Sequence, residues 1–220
     1  MSKAAFILLA SLAAVAANAQ QISDRAALTS VIGGGTLDEF ETYSISSGYY
    51  NASSLNVSTL DSTSVVNGQG PNLVHAGATY SNGGNLQWNS DGYFGMSTKS
   101  LSGTSSVLAI DYAAPVSAFG VDMKGYSGYS YSGKARIYNG TNLLDTLSFS
   151  VAGGTDGAFL GYQSLLGITR VELQDLDHSF SPVIDNHQYG TTQAVPEPTS
   201  MAALGLGALG VLKRRKRTAK

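Results

Sequence analysis

The side chains that could act as nucleophiles, acids or metal ligands are few in this sequence and stand far apart. Its three histidines, His75, His178 and His187, show neither His-Glu-x-x-His nor His-x-His spacing. No Gly-x-Ser-x-Gly elbow occurs in the central part of the chain. The sequence has no cysteine, which excludes thiolate zinc sites and cysteine nucleophiles. These patterns predict a protein that is not an enzyme.

Carboxylates are more plentiful, and a glycosidase needs only two of them. Asp91, Asp111, Asp122 and Asp145 all fall at predicted strand or turn positions, where solvated carboxylates are routine. No catalytic pair stands out among them. A secreted hydrolase of polysaccharides is therefore the alternative to a non-catalytic protein.

Two acidic motifs are candidates for a metal site. Residues 38–41 (Asp-Glu-Phe-Glu) lie on the first predicted strand, and residues 183–186 (Val-Ile-Asp-Asn) lie on the last. Hard cations such as Ca²⁺ take several oxygen ligands from carboxylates and backbone carbonyls, which these positions could supply. The alternative is that these are ordinary solvent-facing strand carboxylates. A rival acidic cluster, residues 175–178 (Asp-Leu-Asp-His), is also typical of a charged turn.

The same two motifs are similar to the first and last strands of galactose-binding-like domains and carbohydrate-binding modules. In those β-sandwiches the two strands are neighbours, and their carboxylates hold a structural Ca²⁺. The resemblance implies Glu39 or Glu41 together with Asp185 as ligands. It departs from the usual pattern at Asn186, where those folds carry a second Asp.

Aromatic residues are the candidates for ligand contact, because sugar rings stack their CH faces on aromatic planes. Tyr126, Tyr129 and Tyr131 alternate with Ser and Gly in a predicted loop, which can hardly bury all three. Trp88 precedes an Asn-Ser-Asp-Gly turn and is a further candidate, although a lone Trp is more often part of a core. In an extended loop, Tyr129 and Tyr131 would share one side.

The elements that must position these residues are predicted to be strands. Apolar residues recur at period two in several runs, and Asn139-Gly140 is a strong signal for a two-residue hairpin. Only residues 23–32 indicate a short helix. The predicted strands are 37–43, 86–88, 107–112, 116–123, 134–138, 143–151, 168–173 and 183–189. Many short strands with Gly-rich turns predict an all-β fold, a jelly-roll-like antiparallel β-sandwich over residues 20–193.

The N-terminus has the pattern of a signal peptide. Lys3 is followed by an apolar helix-forming run over residues 4–17, and residues 17–19 (Ala-Asn-Ala) form a small-x-small cleavage motif. Residues 1–19 are therefore predicted to be removed by signal peptidase after Ala19. This segment is excluded from the reasoning about the mature fold.

The C-terminus has three parts in a fixed order. Val195, Pro196, Glu197 and Pro198 form a rigid extended segment. An apolar stretch over about 199–212 is predicted to be a short transmembrane helix, and it precedes an unbroken basic block. That block is predicted to stay cytoplasmic by the positive-inside rule and consists of Lys213, Arg214, Arg215, Lys216 and Arg217.

This arrangement over residues 194–217 resembles the PEP-CTERM sorting signal. The resemblance implies recognition by exosortase, a membrane-embedded enzyme, with cleavage near the Pro-Glu-Pro motif. It also implies a Gram-negative bacterium that exports the protein across its inner membrane, anchors it transiently and passes it to the outer surface or extracellular matrix. Gly205 to Gly210 match Gly-x-Gly-x-x-Gly, but within this apolar stretch they do not indicate a nucleotide site.

Charge excludes one class of partner. Residues 20–195 contain six basic and fourteen acidic residues, a net charge of −8, although the whole chain carries only −2. An acidic domain repels phosphates, which excludes nucleic acid as a partner. The sequence therefore predicts an exported, non-catalytic protein of the cell surface or biofilm matrix. Exopolysaccharide or another surface glycan is its candidate ligand, and a purely structural or adhesive role is the second alternative.

Overall fold

The computed structural model describes residues 19–125, 129–153 and 157–192 of the 220-residue chain. Within them, one α-helix, α1 (Arg25–Ile32), and a 3-10 turn (Tyr93–Gly95) accompany twelve strands. The strands are β1 (Ala19–Ile22), β2 (Thr36–Asp38), β3 (Ala52–Ser54), β4 (Thr59–Leu60), β5 (Ala78–Asn82), β6 (Leu86–Asn89), β7 (Ser100–Gly103), β8 (Val107–Lys124), β9 (Tyr131–Asn139), β10 (Asn142–Val151), β11 (Ala158–Asp175) and β12 (Val183–Gly190).

The two 18-residue strands β8 and β11 form the middle of one large antiparallel sheet. Their register shifts between Gln163 and Arg170, opposite the segment that contains Pro115, whose nitrogen has no hydrogen to donate to a ladder. This break divides the sheet into two halves. In the first, residues 107–112 and 170–175 are flanked by β5 and β9; in the second, residues 118–124 and 158–163 are flanked by β12 and β1.

Both halves contribute to one continuous apolar core. Along β8, Leu108 and Ile110 from the first half and Phe119, Val121 and Met123 from the second are all fully buried. Period-two alternation places each group on one face of its strand. Burial of this apolar surface is the main stabilising contribution to the fold, which contains no disulfide.

The helix α1 packs on the outer side of the second half. Asp24 caps its N-terminus by accepting a hydrogen bond from the Ala27 backbone N–H at 2.9 Å. Gly33 ends it in a left-handed conformation, with φ of 63°. Leu28 and Ile32 are buried in a small separate apolar cluster with Ala118. The predicted short helix is thus confirmed.

The prediction of an antiparallel all-β fold is also confirmed, and β9 and β10 form the predicted hairpin, with Asn139 paired to Asn142. The jelly-roll-like arrangement of two separate sheets stays a prediction. The predicted signal peptide, except Ala19, lies outside the described residues, as does the tail from residue 193. None of the helices in the described segments is long and apolar enough to cross a membrane.

Candidate ligand groove

An open groove of about 540 Å³ lies where three loop segments meet the strands β6 and β7. Its floor comes from β6, the end of β7 and the residue that follows. Its walls come from the 3-10 turn, from Tyr129 just before β9, and from the loop that follows β11. The residues that line it are Gln87, Tyr93, Phe94, Ser102, Gly103, Thr104, Tyr129, His178, Ser179 and Phe180.

The 3-10 turn supplies one aromatic wall. Phe94 has a φ of 46°, a left-handed conformation that costs a residue with a Cβ about 1–2 kcal/mol. Its backbone N–H donates to the carbonyl of Tyr49 at 2.9 Å, which fixes the turn to the loop before β3. Tyr49 and Tyr50 pack against its ring at centroid distances of 5.3 and 5.7 Å, and Tyr50 is 77% exposed. Strain at an aromatic residue on an open surface is typical of a functional site.

The loop after β11 supplies the opposite wall. The carboxylate of Asp175 is buried, and it accepts hydrogen bonds from the backbone N–H groups of Asp177 and His178 and from His178 Nδ1 at 2.8–3.0 Å. His178 stacks on Phe180 with centroids 4.8 Å apart and an interplanar angle of 13°. The acidic cluster of residues 175–178 is therefore a turn whose carboxylate orders the two rings.

Polar groups lie between the aromatic walls. The amide nitrogen of Gln87 is 3.2 Å from Asn89 Oδ1 and 3.3 Å from the Tyr93 hydroxyl. Thr104 Oγ1 accepts a hydrogen bond from the Asn85 backbone N–H at 2.9 Å. Amide and hydroxyl groups beside exposed rings are the combination that binds the hydroxyls and CH faces of a sugar.

The structure separates the aromatic residues predicted to contact a ligand. Tyr129 is 58% exposed and lies on the groove. Tyr131 is buried as the first residue of β9, and its hydroxyl donates to the carbonyl of Lys124 at 3.0 Å. Tyr129 and Tyr131 thus do not share an exposed side, because strand pairing begins at Tyr131 and turns its ring into the core. Tyr126 lies outside the described residues.

Trp88 is also fully buried and is not a ligand platform. Its ring stacks on Tyr43 with centroids 5.1 Å apart, and its Nε1 donates to the carbonyl of Phe40 at 2.9 Å. The period-two pattern of β6 directs Leu86 and Trp88 inward and Gln87 outward toward the groove. The sequence analysis missed Phe180 and the Tyr49-Tyr50 pair, which a doublet of tyrosines in a Ser- and Gly-rich stretch could have signalled.

The three carboxylates predicted to bind Ca²⁺ have separate environments. Asp185 is 1% exposed, lies 3.3 Å from Lys124 Nζ and accepts a hydrogen bond from Thr98 Oγ1 at 2.6 Å. Burial raises the pKa of Asp185, an effect that Thr98 and Lys124 oppose. Glu41 instead accepts a hydrogen bond from the Lys99 backbone N–H at 3.0 Å, and Glu39 is exposed.

Within the described segments, no group of three or more His, Cys, Asp or Glu side chains is arranged to hold a metal ion. Glu39, Glu41 and Asp185 are therefore not brought together as one set of ligands. Asp185 instead pairs with the ammonium group of Lys124, and a calcium site that joins one of the two glutamates to Asp185 through backbone carbonyls stays a prediction.

A buried polar chain that the sequence analysis did not predict connects the two halves of the sheet. Tyr80 donates its hydroxyl hydrogen to Asp38 Oδ2 at 2.5 Å, so its oxygen is left to accept from His187 Nδ1 at 2.7 Å. His187 Nε2 then accepts from the hydroxyl of Tyr112 at 3.0 Å. Burial, with a smaller contribution from the charge of Arg25, lowers the pKa of His187 to about 3. The imidazole is thus neutral, with its proton on Nδ1.

One end of this chain reaches the surface at His75. Asp38 Oδ1 accepts hydrogen bonds from the His75 backbone N–H at 2.6 Å and from His75 Nδ1 at 2.9 Å. The carboxylate of Asp38 is 1% exposed, whereas the side chain of His75 is 65% exposed. Every polar atom between Asp38 and Tyr112 has a hydrogen-bond partner. This buried polar chain therefore links the strands β2, β5, β8 and β12.

Comparison with known proteins gives one match, to a family model, and no match to a curated protein. No curated protein is similar enough to this chain to be matched. A family model described as the PEP-CTERM protein-sorting motif matches residues 194–217, the segment identified from Val195-Pro196-Glu197-Pro198 and the apolar and basic stretches that follow. The chain thus carries a PEP-CTERM sorting motif and is an exported bacterial protein targeted to exosortase and sorted to the cell surface.

Proposed function

We propose that this protein is a non-catalytic component of the cell surface or biofilm matrix of a Gram-negative bacterium and that it binds a polysaccharide through the aromatic groove. The carrying observation is the groove itself. Phe94, Tyr129 and Phe180 line an open groove with a volume of about 540 Å³. The amide of Gln87 and the hydroxyls of Ser102 and Thr104 also line this groove. A site of this size and composition suits a few sugar units of a chain.

The chemistry of the lining supports binding over hydrolysis. A glycosidase needs two carboxyl groups on either side of the scissile bond. Among the described residues that line the groove there is no Asp or Glu, and the one histidine, His178, already shares a hydrogen bond with Asp175. Aromatic rings supply most of the energy in recognition sites, since they bury large rigid surfaces at little entropic cost.

Ring-to-leucine variants of a fragment that spans residues 20–192 test the proposal. The fragment contains all twelve described strands and lacks only Ala19, the first residue of β1. Phe94→Leu and Tyr129→Leu keep an apolar side chain but remove the flat face. Each is expected to weaken retention on exopolysaccharide by at least about tenfold, the scale of a binding hot spot. Tyr138→Leu, at the other end of β9, is the matched control.

Retention is measured by depletion with insoluble exopolysaccharide from the producing strain and by a glycan array. Thermal unfolding verifies that each variant stays folded. Equal retention of parent, Phe94→Leu and Tyr129→Leu would refute the groove as the binding site. No retention of the parent on any glycan would favour a structural or adhesive matrix protein instead.

A further inference from the structure

Strand β1 begins, and strand β12 ends, beside the break that divides the sheet into its two halves. In β1, Ala19 pairs with Ser164 of β11, and in β12, Gly190 pairs with Ala118 of β8. Ala118 in turn pairs with Gln163, so these positions lie side by side across four adjacent strands. The segment toward the sorting motif therefore leaves the domain beside the connection that follows Ser164. We call this end of the second half of the sheet, which lies at the break, the terminal end.

Apolar side chains are exposed at the terminal end. Leu165 is 67% exposed and Leu166 is 65% exposed, in the break between the two halves of β11. Leu143, 54% exposed, lies close by at the start of β10, while residues 113–115 (Ala-Ala-Pro) are exposed at the break in β8. Single exposed leucines are common on proteins, but here three lie around the same break as an exposed Ala-Ala-Pro segment, and we call this group of residues the apolar tip.

The tip is uncharged and is held in shape by its own contacts. Residues 113–117, 139–143 and 164–169 contain no Asp, Glu, Lys or Arg. The amide of Asn139 donates to the Leu166 carbonyl, and the Gly140 backbone N–H donates to Thr169 Oγ1 at 2.7 Å. The closest charged pair along these strands is Asp111 and Arg170, joined by two hydrogen bonds of 2.8 Å, in which the charges offset each other.

The length of chain beyond the tip indicates what covers it. Ten residues, 191–200, separate Gly190 from the apolar stretch that begins at Met201. Fully extended, they span at most about 35 Å. While that stretch is in a membrane, the tip is held within this distance of the lipid surface. Such tethering gives a high effective concentration, so a modest gain from apolar burial is enough for docking.

We propose that the terminal end is a membrane-docking surface, and that Leu165 and Leu166 enter the lipid headgroup region while the sorting tail anchors the precursor. An uncharged apolar tip loses no ionic hydration on entering the interface, whereas the rest of the acidic domain is repelled by anionic lipids. Docking holds the Pro-Glu-Pro segment close to the membrane, where a membrane-embedded protease acts. This inference does not depend on glycan binding.

The absence of cysteine allows a direct test, because a single introduced thiol can be labelled without ambiguity. Full-length Leu165→Cys and Leu166→Cys precursors carry an environment-sensitive nitrobenzoxadiazole label and are reconstituted in phosphatidylethanolamine–phosphatidylglycerol vesicles. Leu176→Cys is the matched control, because Leu176 is 48% exposed just beyond the last residue of β11, ten residues along the chain from Leu166. Flotation with the vesicles verifies the anchor separately.

The labels at positions 165 and 166 are expected to shift their emission to the blue and to lose most of their fluorescence when the vesicles contain a nitroxide-bearing lipid. The label at position 176 is expected to do neither. Identical, water-like emission at all three positions would overturn the proposal. A blue shift at 165 without quenching by the nitroxide lipid would also overturn it, in favour of a second copy of the chain as the cover.

Discussion

His187 offers the sharpest test of the buried polar chain. Its ring is fully buried, lies between the hydroxyls of Tyr80 and Tyr112 and stacks on Tyr189 at 4.9 Å. Burial lowers its pKa from 6.5 to about 3, with the charge of Arg25 as the smaller cause. In the unfolded chain the ring takes up a proton below pH 6.5, while in the folded protein it stays neutral down to about pH 3.

The sign of the effect follows from proton linkage. Between pH 3 and 6.5 the unfolded state binds more protons than the folded state, so the free energy of unfolding falls as the pH falls. At 1.36 kcal/mol per pKa unit, His187 alone accounts for a loss of about 3 kcal/mol between pH 7 and pH 4. Its contribution is fully present above about pH 7. A loss of this size is a large fraction of the stability of a single domain.

Urea unfolding of residues 20–192 at pH 7 and pH 4, followed by the fluorescence of the buried Trp88, measures this loss. His187→Gln removes the titration but keeps an amide donor and acceptor for the two tyrosines. We expect the variant to be about 1–3 kcal/mol less stable than the parent at pH 7. Between pH 7 and pH 4, the free energy of unfolding of the variant should fall by about 3 kcal/mol less than that of the parent. The carboxylates contribute equally in the two proteins, so the difference reports His187 alone.

The parent protein, unfolded in the same series, is the reference for acid sensitivity, because it shares every carboxylate with the His187→Gln variant. If the parent and His187→Gln show the same loss, His187 is not held neutral by its surroundings. The reasoning from burial and hydrogen bonding would then be wrong.

Three other outcomes are expected. Asp185→Ala should lower the free energy of unfolding by about 3–5 kcal/mol, because Lys124 is left buried without its partner. Adding Lys124→Met should restore part of the lost stability, and strictly additive losses in urea unfolding would contradict this coupling. Thermal unfolding in millimolar Ca²⁺ and in EDTA tests the predicted calcium site: a higher melting temperature with Ca²⁺ that Asp185→Ala removes would support the site, and identical melting temperatures would contradict it. Mass spectrometry of the exported protein should show a chain that starts near Gln20 and lacks residues 213–220, and an intact basic tail would contradict processing by exosortase.

The linear motifs were the most predictable part of this protein. The PEP-CTERM segment is defined by order and spacing along the chain, so the sequence alone sufficed to identify it. The strands of the middle region were also predictable, because Val107 to Met123 alternate with period two on both sides of Pro115. The structure joins both runs into β8, since an antiparallel ladder can pass a proline at a break in pairing.

The candidate site was less predictable because it depends on where strands begin and which distant loops meet. Tyr129 and Tyr131 look equivalent in the sequence, but only Tyr131 lies within β9 and is buried. A bulge between Leu143 and Asp145 places Leu143 out of step with the rest of β10, which local alternation does not reveal. His187 and Tyr80 are 107 residues apart, and no spacing rule connects them.

The pairing of β1 carries a consequence for the order of events during export. The predicted signal-peptidase bond, between Ala19 and Gln20, lies inside β1, and both residues pair with β11 through Ser164 and Gln163. A protease needs an extended and unpaired stretch of backbone in its own cleft, which β1 can no longer provide once it has joined the sheet. If signal peptidase cuts at this predicted bond, the cut is expected while residues 19–22 are still unpaired, before β1 joins β11 in the sheet.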